Sequence, residues 1–217
     1  MAKPYRGETT KLSIRLSEEA RGNINTIADN LGISAAGVVL FELTKLMENP
    51  PLLSEVEQMK DDITLSKNHF ALTVNKKVME QVNELALKYG MKKNVLIGLI
   101  ISKTFLEETP EKQTELTPKK LMLQVNEDLK KKMMNYSEEN YLPLNALVTY
   151  SILQGPAEEL PNYNSETFEH IFTNVPEYIG ELIKKKSSEY NIREHFYTSM
   201  CIYKQFMLPG GRFYKKD

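Results

Sequence analysis

Lys11, Ser13 and Arg15 stand two residues apart in Lys11-Leu12-Ser13-Ile14-Arg15-Leu16, a run of strict polar and apolar alternation. In an extended chain successive side chains point to opposite faces. An ammonium, a hydroxyl and a guanidinium fork therefore share one face, with Leu12, Ile14 and Leu16 behind them. The front row is rich in hydrogen-bond donors. The alternation recurs three times. His69, Ala71 and Thr73 alternate with Phe70, Leu72 and Val74; Lys120, Met122 and Gln124 with Leu121, Leu123 and Val125; His170, Phe172 and Asn174 with Ile171, Thr173 and Val175. The third and fourth rows carry Met122 and Phe172 at their centres, and an exposed apolar pair is more often a contact surface for protein.

Nothing in these rows suggests catalysis. His69, His170 and His195 fall in three different local settings, with no metal-ligand spacing. The chain has no Gly-rich phosphate loop, no Gly-x-Ser-x-Gly and no His-Glu-x-x-His. Glu138-Glu139 reads as surface helix charge. The expectation is a non-enzyme without cofactor or metal.

The elements that must hold these rows follow directly from the spacing. After Leu16, Ser17 can accept a bond from an amide of a first helical turn, and Glu18 and Glu19 suit its positive end. Ala20, Ile24, Ile27, Ala28 and Leu31 then form one helical face. Gly32 stops that helix, Ser34 can cap the next, and Val38 to Leu46 is apolar nearly all round. The unit reads strand, helix, turn, buried helix. Self-comparison finds it again at offsets of 58, 109 and 159 residues. Asn75, Asn126 and Pro176 then occupy the cap, Gly90 the turn, and Leu129, Met133, Ile179 and Ile183 the helix faces. The fourth copy diverges most, with Thr173 inside its strand and Lys186 where Ile27 would pack.

A strand, a helix of about three turns, a short turn and an apolar helix within roughly forty residues resembles the ribbon-helix-helix family of DNA-binding proteins, the Arc and MetJ type. Lys11 to Ser17 looks like that family's strand and Gly32-Ile33-Ser34 like its interhelix turn. The resemblance covers most of the chain in four blocks. It implies a mainly α fold with short β-ribbons, because one unit alone buries too little surface to be stable. Four tandem ribbon-helix-helix units would form two intrachain pseudo-dimers. The simplest pairing joins 11–47 with 69–106 in an N-terminal domain, 1–110. It joins 120–154 with 170–207 in a more divergent C-terminal domain, 111–217.

The resemblance also implies a function, sequence-specific binding of double-stranded DNA by a ribbon in the major groove. The base-reading residues would be Lys11, Ser13, Arg15, His69, Ala71 and Thr73. Arg suits guanine O6 and N7, while Ala and the Thr methyl suit a thymine methyl. Lys120, Met122, Gln124, His170, Phe172 and Asn174 would make a second ribbon, serving a weaker site or homo-oligomerisation through the C-terminal half. In the family the start of the second helix clamps phosphate; Ser34, Ala35, Lys92, Lys93 and Arg193 hold that place, with Pro143 in the third unit. The implied roles are a bacterial, plasmid or phage transcriptional repressor, or an accessory protein of plasmid partition or transfer. A protein-interaction scaffold that kept the fold and lost DNA binding is a further alternative. A helix-turn-helix is less apt, since Val38-Val39-Leu40-Phe41 offers no polar recognition face.

Composition sets the remaining bounds. The 217 residues are 41% hydrophobic and 26% charged, with a formal net charge of −1, so any DNA contact must come from local positive faces. No apolar stretch reaches the ~18 residues of a membrane span, and Met1-Ala2-Lys3 leads into polar residues without an apolar core, so the expectation is that there is no secretory signal. The single cysteine, Cys201, suits a reducing cytoplasm and reads as a packing residue. Residues 1–10, with Lys3, Tyr5 and Arg6, read as a mobile arm, and Leu208 to Lys216 as a flexible basic and aromatic tail. Leu52 to Met59 reads as a short connecting helix. Glu107 to Pro118 and Gln154 to Ser165 read as polar connectors. Lys130-Lys131-Lys132 and Lys184-Lys185-Lys186 read as solvated helix faces.

Overall fold

Each alternating run pairs with one other, and behind each follow two helices. A computed structural model of the chain describes residues 8–107, 110–158 and 168–215. The elements are β1 (Thr9–Arg15), α1 (Glu18–Leu31), α2 (Ala35–Glu48), α3 (Leu53–Asp62), β2 (His69–Asn75), α4 (Lys76–Lys88), α5 (Lys93–Leu106), β3 (Pro118–Asn126), α6 (Glu127–Asn140), α7 (Leu144–Leu153), β4 (Phe168–Pro176), α8 (Glu177–Glu189) and α9 (Glu194–Met207). The chain is mainly α, with two antiparallel two-stranded ribbons, β1–β2 and β3–β4. First therefore pairs with second, and third with fourth. β1 begins at Thr9, so the strand takes in two residues of the expected arm. Lys3, Tyr5, Arg6, Leu160 to Ser165 and Lys216 lie outside the described residues. One compact unit holds 8–29, 34–107, 110–112 and 138–141, the other 30–33, 113–137, 142–158 and 168–215.

The caps form where side chains can supply them. Ser17 Oγ accepts from the Ala20 amide at 3.2 Å, Asn75 Oδ1 from Val78 at 2.7 Å and Asn126 Oδ1 from Leu129 at 2.9 Å. Pro176 caps α8 by position, without a side-chain bond. The turn between the paired helices repeats as backbone geometry even where the residue type does not. Gly32, Gly90, Tyr141 and Asn191 have φ of 63°, 60°, 58° and 53°. These positions are related by the offsets of the sequence repeat. After the last three, the next residue's amide returns to a carbonyl of the helix just ended: Met91 to Ala86, Leu142 to Ser137 and Ile192 to Ser187. That bond closes a helix whose following residue turns left-handed.

Packing is exchanged between the paired copies. α5 of the second copy lies on β1 of the first, and α2 of the first lies on β2 of the second. In the other unit α9 lies on β3 and α7 on β4. Leu12, Ile14, Leu16 and Leu72 are fully buried beneath this cover. Burial of each such side chain stabilises by roughly 1.5–3 kcal/mol. The α5–β1 approach is close. A Cβ on Gly98 would lie 1.8 Å from the Arg15 carbonyl oxygen, and just beyond it Ser102 Oγ accepts from the Ser17 amide at 2.9 Å. α3 packs against α5 and buries Val56, so the connecting helix runs three residues past Met59.

The tail departs from the expectation of a flexible end. Phe213 is buried among Tyr136, Tyr150 and Phe206, with ring centroids 4.8–5.3 Å away. Its amide donates to the Gln205 carbonyl and that of Arg212 to Gln205 Oε1, both at 3.0 Å. Gly211 allows this return, since a Cβ there would meet the Lys204 carbonyl oxygen at 2.4 Å. An aromatic side chain with an open apolar socket outweighs the disorder of a chain end. Cys201 is buried, and burial pushes its thiol up to about 12.

The two glycines of the second copy separate conformational cost from collision. Space around Gly90 is open, so Gly90→Ala is expected to lose about 1 kcal/mol through its left-handed backbone alone. Gly98→Ala is expected to lose about 3 kcal/mol or more, because backbone cannot rotate out of the way. Denaturant titration of both variants checks this; equal losses would mean that α5 is not held tightly against β1.

Candidate functional site

The register decides which outward side chains become neighbours. In β1–β2, Lys11 faces Thr73, Ser13 faces Ala71 and Arg15 faces His69. All six candidates therefore stand on one face, opposite the buried row of Leu12, Ile14, Leu72 and Val74. Thr9 and Asn75 extend that face at one end. Its permanent charges are Lys11 and Arg15, and no carboxylate stands among these positions. A chain of net charge −1 thus carries a local positive strip.

Hydrogen bonds across the ribbon arrange the strip. Lys11 Nζ donates to Thr73 Oγ1 at 2.7 Å, and Ser13 Oγ lies 2.9 Å from His69 Nδ1. Arg15 is half-buried, and its Nε is itself buried with no hydrogen-bond partner among the described residues, so the fork it can present is that of its terminal nitrogens. Such a fork is suited to a planar acceptor pair. These cross-strand bonds were not legible in the sequence, because they depend on register.

In β3–β4, Lys120 faces Asn174, Met122 faces Phe172 and Gln124 faces His170. The centre is apolar and solvent-facing, with Met122 45% and Phe172 58% exposed. Lys120 Nζ sits over the Phe172 ring, 4.7 Å from its centroid. Lys120, the permanent cation among these six outward positions, is thus engaged with an aromatic face.

The phosphate candidates lie at starts of second helices. Ser34 caps α2, its Oγ accepting from the Gly37 amide at 3.1 Å, and Ala35 is the first helical residue. Lys92 is the cap residue of α5 and Lys93 its first residue; Lys93 Nζ lies 3.0 Å from Asn83 Oδ1. Arg193 caps α9 by position and Pro143 caps α7. The lysine runs behave as helix surface. Lys130 pairs with Glu169, Lys131 with Glu127, Lys184 with Glu181 and Lys186 with Glu189. Pairing holds the Glu127 and Glu181 carboxyls below the usual carboxylate range, led by the hydrogen bonds from Lys131 and Lys184.

A cleft of about 430 Å³ between α2, α3 and α5 is lined by Glu42, Lys45, Glu55, Asp62 and Lys103 over Leu46. Its charges are of both signs, and neither His nor Cys lines it. No single helix among the described residues is long and apolar enough to cross a membrane. Compared with family models, curated proteins and solved structures, the chain finds no match.

The two faces of β1 should differ sharply in what they contribute to stability. Lys11→Ala and Ser13→Ala are expected to shift it by no more than about 0.5 kcal/mol, and Leu12→Ala and Ile14→Ala to lose about 2–5 kcal/mol. Thermal unfolding of the four variants checks this; comparable losses on both faces would mean that the outward row is structural.

Proposed function

We propose that this chain is a sequence-specific double-stranded DNA-binding protein of the ribbon-helix-helix type, acting as a transcriptional repressor. The observation that carries the reading is the shared outward face of Lys11, Ser13, Arg15, His69, Ala71 and Thr73. A two-stranded ribbon fits the major groove, where each base pair presents a distinct pattern of donors and acceptors. In this reading Arg15 forks onto guanine O6 and N7. Ser13 and His69 bond base edges, and Ala71 and the Thr73 methyl touch thymine methyls. Lys92 and the helix starts at Ser34, Ala35 and Lys93 hold phosphate, which fixes register without reading sequence, and Arg193 has the corresponding place in the C-terminal half. A neutral body cannot supply long-range attraction, so affinity rests on these local contacts.

A second reading concerns β3–β4. The exposed Met122–Phe172 pair at its centre favours a protein contact, such as self-association through the C-terminal half, over base readout. DNA reading then belongs to the first ribbon.

Fluorescence anisotropy of labelled random-core duplexes across a salt series tests the assignment. Affinity is expected to fall steeply with ionic strength, with a slope set by the phosphates neutralised. Arg15→Ala is expected to weaken discrimination among duplexes about tenfold or more, and Lys120→Ala or Gln124→Ala to leave it unchanged. No duplex affinity at low salt would overturn the reading and favour a scaffold. Loss of preference in the Lys120 or Gln124 variants equal to that of Arg15→Ala would overturn the division between ribbons.

A further inference from the structure

A ribbon made from two identical strands has a true twofold axis. Its ends are identical, and the duplex it reads repeats itself in reverse. The β1–β2 ribbon keeps the backbone of such an object. Its register places Ser13 opposite Ala71, the same position of the repeat in the two copies, so a pseudo-twofold axis passes through that pair. The side chains break the symmetry at every outward position. The axis would exchange Arg15 with Thr73, Lys11 with His69, and Ser13 with Ala71.

The two ends therefore differ in chemistry. One end presents Arg15 beside His69, the other Lys11 beside Thr73. At the second end the Lys11 ammonium is drawn onto Thr73 Oγ1, 2.7 Å away. Ser13 and His69 engage each other at 2.9 Å. Arg15 takes part in none of these cross-strand bonds; its Nε is buried without a partner among the described residues, which leaves the two terminal nitrogens as the fork. The ribbon thus carries one guanidinium, at one end. A guanidinium fork is the best match for guanine O6 and N7 together; an ammonium reaches the same acceptors as a point charge, but that of Lys11 is engaged by Thr73, whose methyl suits thymine.

Resting on the DNA-binding reading above, we infer that the β1–β2 ribbon recognises a non-palindromic duplex segment in one fixed orientation, with a guanine under Arg15 and no matching guanine required at the Thr73 end. A protein bound this way has a polarity along the duplex. Covalent linkage of the two copies is what permits it, because each strand can diverge while its partner stays the same.

Selection of duplexes from a random-core library by the full chain tests this. The wild-type pool is expected to yield a motif that is not its own reverse complement, with one dominant guanine over the ribbon. Arg15→Ala is expected to erase that guanine from the motif. The triple variant His69→Lys, Ala71→Ser, Thr73→Arg transplants the β1 row onto β2. It is expected to add a second, symmetry-related guanine and to bind a two-guanine palindrome about tenfold or more tighter than the wild type does. Thr73→Arg alone, melted beside the wild type to verify folding, is expected to add the second guanine without the flanking changes. A palindromic wild-type motif with two equal guanines would overturn the inference while leaving DNA binding intact. A guanine retained in Arg15→Ala would overturn the assignment to Arg15. Enrichment of no duplex at all would overturn the DNA-binding reading together with it.

Discussion

The structure depends on a strand that cannot be covered by its own unit. β1 buries Leu12, Ile14 and Leu16, and the helix lying on it, α5, belongs to the other copy. The closeness of that contact, backbone against Gly98, leaves no room for solvent or a side chain between them. A two-stranded ribbon is marginal by itself, so the inner face must be covered for the strands to persist. With the inner face covered, Lys11, Ser13, His69 and Ala71 on the outer face stay exposed. The exposed polar row is thus a consequence of how the core is closed.

Carrying the paired copies on one chain changes what the fold can do. Two separate identical units would pair according to concentration and would present identical strands. Here pairing is intramolecular, and the two strands are under no requirement to match. The first ribbon has used that freedom to place Arg15 without a counterpart. The second has used it to replace the polar centre with Met122 and Phe172, and to engage Lys120 with the aromatic face. One backbone thereby carries two surfaces of different chemistry, the first suited to hydrogen-bonding acceptors and the second to an apolar partner.

Much of this was legible in the residues because several local signals moved together. Alternation, a cap at Ser17, Asn75 and Asn126, and a stop at Gly32 and Gly90 recur at shared offsets. Together they specify the element order and the inward rows. The turn in the third and fourth copies was harder to read. Tyr141 and Asn191 adopt the left-handed backbone that glycine supplies earlier, and the returning amides of Leu142 and Ile192 hold them there. Register was not legible, since alternation gives the face of each residue and not its partner. The Lys11–Thr73 and Ser13–His69 bonds therefore emerged only with the fold. Nor was the docking of Phe213, because composition reports a Gly-rich, basic tail and says nothing of a socket between Tyr136, Tyr150 and Phe206. The chemistry of the outward rows is a matter of residue type and was open to reading, whereas the ligand they meet is not a property of the chain alone.

The most direct test of the account is an NMR titration of the full chain with a short random-core duplex at low salt, following backbone amides and side-chain signals. The largest changes are expected on Lys11, Ser13, Arg15, His69, Ala71 and Thr73, with the buried partners of β1 and β2 little affected. Binding that leaves those six unmoved and perturbs another surface, or the absence of any change on adding duplex, would contradict it.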